Sequence, residues 1–138
     1  MAKVADIIRD ALSHLRVQNP LQPIKAQDAR AGIRALNLMM RRWEANGIAL
    51  GWSDVVEPTD DLPAPAEAEE AIGYNLAIRL QSRFGVELDR EGKDAARRGL
   101  EELRADVHGN LHLAVSYEDL PAAEGQSGFG DWREGLTG

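Results

Sequence analysis

Four stretches of this chain carry apolar residues at helical spacing, and Pro or Gly lies in the connections between them. The first stretch, about 2–16, repeats at i, i+3, i+4, i+7, i+8 and i+11. Three more stretches predict helices over about 25–46, 65–85 and 89–107. The four stripes are Val4, Ile7, Ile8, Ala11, Leu12 and Leu15; Ala29, Ile33, Leu36, Met40 and Trp43; Ala68, Ile72, Leu76, Leu80 and Phe84; and Ala96, Leu100, Leu103 and Val107. We therefore expect an all-α fold with a four-helix bundle-like core.

The predicted helices have suitable ends. Pro20 and Pro23 break the chain after the first helix, because proline has no amide proton and restricts the residue before it. Asn46-Gly47 predicts the end of the second helix, and Gly85 that of the third. Asp89 is an N-cap residue type and predicts the start of the fourth helix.

The last part of the chain has a different pattern. Residues Leu111, Leu113, Val115 and Tyr117 alternate with less apolar ones, which is strand spacing. A glycine-rich stretch with Phe129 and Trp132 follows, and it holds too few apolar residues to bury surface by itself. We expect a helical core over 1–107 and an extended C-terminal arm over 108–138, in which these six residues bind a partner.

A second apolar segment lies between the second and third helices. Residues 48–56, with Ile48, Leu50 and Trp52, are too short for a helix, so we expect an extended or hairpin arm. The acidic stretch 57–70 follows and predicts an exposed loop. An exposed apolar arm needs a cover, and a neighbouring subunit would supply it.

Charge is unevenly distributed along the chain. The net charge is −7; residues 1–56 hold eight Lys/Arg against five Asp/Glu, whereas residues 57–138 hold eight against eighteen. An acidic half disfavours non-specific DNA binding, which needs clustered basic residues. Arg34, Arg41 and Arg42 lie off the buried stripe of the second helix. Such residues are usually solvated or ion-paired, but in a ring around DNA they would face the channel.

Residue types that carry catalytic chemistry are sparse. The chain has no cysteine and three histidines, His14, His108 and His112, and no glycine-rich phosphate loop. Six of its 23 carboxylate residues lie in the acidic loop, where nothing would raise their pKa. We expect no enzyme activity, no metal and no cofactor, and no apolar run is long enough to predict a membrane span.

Several stretches resemble one family, the head-to-tail adaptors of short-tailed phages, also called packaged-DNA-stabilisation or tail accessory proteins. The similar stretches are AKVADIIRDALSHLRV at 2–17, AGIRALNLMMRRWEANGIALGW at 31–52, EAIGYNLAIRLQSRFGVEL at 70–88 and SGFGDWREG at 127–135. Together they cover most of the chain, as diffuse patterns without a rigid signature.

The resemblance implies a virion structural protein, assembled in the host cytoplasm. Such adaptors bind the portal protein as a twelve-subunit ring, extend the DNA channel and retain packaged DNA. They also provide the platform for the tail nozzle protein, and their C-terminal arms run along the portal. Two other classes stay open from the residues alone: a DNA-packaging or regulatory DNA-binding protein, and a virion-associated peptidoglycan hydrolase.

Overall fold

The computed structural model describes residues 2–19 and 21–119, with side chains described as far as Gly109. Its helices are α1 (Val4–His14), α2 (Ala26–Ala45), α3 (Glu69–Phe84) and α4 (Arg90–Asp119), with a short 3-10 turn at Ala66–Ala68 before α3. In this part of the chain the only β pairing is a single bridge between Lys3 and Asp61. The prediction of an all-α fold is confirmed.

The predicted stripes supply most of the core of the compact unit Met1–Val107. All six stripe residues of α1 are at most 5% exposed. Along α2, α3 and α4 most stripe residues are buried, and Ile33, Phe84, Leu100 and Val107 pack against the core at its margin. Helical periodicity therefore identified the inward face of every helix.

Helix α3 packs against both α1 and α2, and these two helices also pack against each other. Two glycines allow close helix contacts. A Cβ atom on Gly32 of α2 would lie 2.8 Å from the Ile8 side chain, and one on Gly99 of α4 would lie 2.8 Å from Ala71 Cβ of α3. Gly99 thus permits the close packing of α4 against α3.

The acidic stretch after residue 56 is tied to the start of α1. The carbonyls of Asp60 and Pro58 accept hydrogen bonds of 2.9 Å from the amides of Val4 and Ala5. These bonds satisfy amide groups that a helix N-terminus leaves without internal partners. Leu62 is 1% exposed, so the loop is anchored in the core although most of its carboxylates face solvent.

The predicted helix ends are largely confirmed. Asp89 caps α4, since its carboxylate accepts a 2.7 Å hydrogen bond from the Gly92 amide. Gly85 follows α3 in the left-handed conformation, with φ of 67°. After α2, Gly47 has φ of 93°.

The strand predicted at residues 111–117 is wrong. Helix α4 continues through Gly109 to Asp119, so the backbone of the first part of the predicted arm is helical and not extended. The same residues also fit a helix, because Leu111 and Val115, like Leu113 and Tyr117, are four positions apart. Phe129 and Trp132 lie outside the described residues.

Candidate functional site

Residues 48–56 run along helix α2 and are held there by Asn37. The Asn37 amide group donates to the Val55 carbonyl at 2.9 Å, while its oxygen accepts from the Val55 amide at 3.0 Å. The same oxygen accepts from Trp52 Nε1 at 3.3 Å. One side chain therefore fixes the position of this extended segment against the helix.

An ion pair adds a second attachment. Arg41 of α2 binds Asp54 through two contacts, of which Nε to Oδ1 is 3.1 Å. This hydrogen bond lowers the pKa of the Asp54 carboxyl and raises the pKa of Arg41. Both side chains are about half exposed, so the pair orients the segment more than it stabilises the fold. Arg41 is thus partnered within its own chain.

The interpretation of residues 48–56 as an exposed apolar arm needs correction. Ile48 is 2% exposed and belongs to the protein's own core, and Val55 is 5% exposed. Leu50 and Trp52 are partly buried against the same core. The helix they lie against supplies the cover that the sequence analysis assigned to a neighbouring subunit.

The outward side of α2 carries a different exposed feature. Arg34, Leu38 and Arg42 are spaced by four residues and therefore follow one line along the helix, with exposed arginines on either side of a leucine. Leu38 is 47% exposed, and Val56, next to the Asn37-bonded Val55, is 72% exposed. We call Arg34, Leu38 and Arg42 the α2 stripe.

Sequence reasoning missed Leu38, Val56 and Asn37. A signal for Leu38 was present in the helical spacing. Position 38 lies on the opposite side of α2 from the buried Leu36 and Met40, so a leucine there is an apolar residue on the outward side of the helix. No pattern in the sequence pointed to Asn37, whose partners come from a segment 15 to 18 residues further along the chain.

A second surface feature lies between the start of α3 and helix α4. A cavity of 270 Å³ there is lined by four carboxylate residues and three small or apolar ones: Glu67, Glu70, Glu102, Asp106, Ala71, Gly99 and Leu103. We call it the acidic cleft. Its walls are fixed by Asn75, which donates to the carbonyls of Ala71 at 2.8 Å and Ala96 at 3.0 Å and so joins α3 to α4.

His14 of α1 stacks on Tyr74 of α3, with ring centroids 3.9 Å apart and planes 7° from parallel. Burial lowers the pKa of His14, although Asp10, Glu70 and Asp89 act in the opposite direction. The carboxyl of Asp10 has a raised pKa, chiefly through burial. The neutral imidazole is therefore favoured, and the stack serves helix packing.

The predicted arm residues Leu111, Leu113, Val115 and Tyr117 lie on the helical backbone of α4. Among the described residues there is no group of three or more His, Asp or Glu that could hold a metal ion. Nor does this part of the chain contain a helix long and apolar enough to cross a membrane.

Comparison with known proteins gives one family. No curated protein matches the chain. The family model described as P22 tail accessory factor matches residues 2–128, which include all four helices. The chain therefore belongs to the P22 tail accessory factor family, as a tail accessory protein of a short-tailed phage with a structural role in the virion.

Proposed function

We propose that this protein is a head-to-tail adaptor that binds the portal as a ring of twelve subunits. The ring extends the DNA channel, retains the packaged genome and provides the platform on which the tail nozzle protein attaches. The observation that carries the proposal is the family match over residues 2–128. A fold made of a firmly packed helical core suits a mechanical role of this kind.

The C-terminal segment is the proposed portal contact. Helix α4 continues beyond the compact unit as far as Asp119. Its apolar residues form two pairs at four-residue spacing, Leu111 with Val115 and Leu113 with Tyr117, which lie about 200° apart around a helix. We therefore revise the proposed contact to a helical segment that its partner covers on two sides. Phe129 and Trp132 would be aromatic anchors further along.

Ring closure gives the assembly its strength. Each subunit contributes only a modest interface with the portal, but neighbours already held in place raise the effective concentration of the next contact. A closed cyclic arrangement also leaves no unpaired subunit surface. Packaged DNA passes through the ring without sequence-specific contacts.

DNA retention in assembled particles tests this function. Phage heads packaged without the chain are expected to release their DNA, which becomes sensitive to added nuclease. Full-length protein added to such heads should restore protection, whereas a variant truncated after Val107 should not. Heads that hold their DNA equally well with and without the chain would contradict the proposal.

A further inference from the structure

The α2 stripe has the composition of a protein contact. Leu38 is 47% exposed between the exposed Arg34 and Arg42. Two helical steps of four residues separate the arginines, so their Cα atoms lie about 12 Å apart along α2. A surface that bound only DNA phosphates would gain nothing from a central leucine, whereas an apolar centre with arginines is typical of protein interfaces. The stripe therefore indicates a protein partner with an apolar centre and acidic edges.

The acidic cleft has that complementary composition. Ala71, Gly99 and Leu103 provide an apolar floor, with Glu67 and Glu70 on the side of α3 and Glu102 and Asp106 on α4. Its 270 Å³ is enough to receive one leucine side chain. The four carboxylates would repel nucleic acid.

We propose that the α2 stripe of one copy of this chain docks into the acidic cleft of the next copy. Leu38 enters the cleft, and Arg34 and Arg42 meet the carboxylates on its two edges. The stripe lies on the side of α2 that faces away from its own core, so it is accessible to another molecule. This contact assigns the subunit interface of the ring and in that respect rests on the proposed function.

The two surfaces are different, so the contact is head-to-tail, which is the geometry that generates a ring or an open chain of subunits. It also gives Arg34 and Arg42 a role other than facing the DNA channel. Because the surfaces remain partly solvated, each contact is weak alone and gains strength when the portal aligns neighbouring copies.

A charge-swap experiment tests the interface without any portal, so its outcome does not depend on portal binding. Self-association of the full chain is measured by sedimentation at low salt for three proteins. They are the wild type, Arg34→Glu/Arg42→Glu, and a variant that reverses both edges of the cleft, Glu67→Arg/Glu70→Arg/Glu102→Arg/Asp106→Arg. Each variant should associate at least about tenfold more weakly, because repulsion replaces attraction at both edges of the cleft. An equal mixture of the two variants should regain association, since the reversed stripe then meets the reversed cleft.

Arg79→Glu/Arg90→Glu is the matched control for Arg34→Glu/Arg42→Glu, with the same change in net charge at exposed positions outside both surfaces. It should associate like the wild type, and circular dichroism should show that all three variants remain folded. The proposal is overturned if the wild type stays monomeric at every concentration or if the control associates as weakly as the interface variants. It is overturned as well if the two interface variants do not associate with each other when mixed. It is also overturned if Arg34→Glu/Arg42→Glu abolishes binding to duplex DNA while self-association is unchanged.

Discussion

Asn37 and Val55 exchange two hydrogen bonds, in which the side-chain amide of one residue pairs with both backbone polar groups of the other. The pairing joins helix α2 to the segment that the sequence suggests is a free arm. Three consequences follow for this face of the protein: Ile48 and Val55 enter the core, Trp52 gains a hydrogen-bond partner, and the outward side of α2 is left with Arg34, Leu38 and Arg42.

Replacing Asn37 should weaken the whole fold. We expect Asn37→Ala to lower the free energy of unfolding by about 2–3 kcal/mol, because the part-buried polar groups of Val55 lose their partners. Urea unfolding followed by circular dichroism measures this change. Arg34→Ala, at an exposed position of the same helix, should alter stability by less than about 0.5 kcal/mol. Equal effects of the two substitutions would show that Asn37 does not hold the segment.

Two glycines of α4 should respond oppositely to alanine. A Cβ on Gly99 would lie 2.8 Å from Ala71 Cβ and 3.2 Å from its Cα, so Gly99→Ala must push α4 away from α3 and should lower the melting temperature. At Gly109 a Cβ meets nothing within 4 Å, and Gly109→Ala should raise stability by up to about 1 kcal/mol through helix propensity. A stabilised Gly99→Ala would contradict the close crossing, and a destabilised Gly109→Ala would contradict a helix there.

The cap at the start of α4 should be replaceable by another acceptor. Asp89→Ala removes the bond to the Gly92 amide and is expected to cost about 1 kcal/mol of stability. Asp89→Ser keeps an acceptor oxygen at the same position and should recover most of that loss. Thermal unfolding of the three proteins compares them directly. If serine proved no better than alanine, the carboxylate would act through Arg16, which lies 3.5 Å away, and not through capping.

Stability should depend on pH through His14. Its pKa in the fold lies below 6.5, the usual value for histidine, so the unfolded chain binds the proton more readily. The contribution of the neutral ring is therefore present above pH 6.5 and is lost as the pH falls from 6.5 towards the folded pKa. Asp10, with a raised pKa, has the opposite effect, since its contribution is present below 3.8 and is lost as the pH rises above that value.

His14→Phe isolates the histidine contribution, because phenylalanine can still stack on Tyr74 but cannot titrate. The variant should lose less stability than the wild type when the pH is lowered from 7 through the window below 6.5, as measured by urea unfolding at each pH. Identical pH profiles for the two proteins would place the titrating group elsewhere.

Residues with local signals were predicted well. The apolar stripe of α1, the cap Asp89 and the left-handed Gly85 depend on neighbours within one or two helical turns, and each is found where the sequence predicts it. The apolar spacing of the second helix likewise predicts the buried side of α2, and Arg34 and Arg42 lie outside that side.

Features that depend on distant partners were not predictable. Ile48 is apolar whether its own core or another subunit covers it, and the bonds that attach its segment to Asn37 and Arg41 decide between the two. The alternation from Leu111 to Tyr117 fits a strand and also fits two i, i+4 pairs on a helix, so periodicity over seven residues could not separate them. The acidic cleft requires α3 and α4 to cross at Gly99, which no single segment encodes.

The central claim is that this protein assembles as a ring on the portal through its C-terminal segment. Measuring the mass of the complex formed with purified portal tests it most directly. We expect the portal to gain the mass of a full ring of 15.1 kDa chains, one for each position of the symmetric assembly, and to gain nothing from a variant truncated after Val107. A portal whose mass does not change, or one that binds the truncated variant equally well, would contradict the claim.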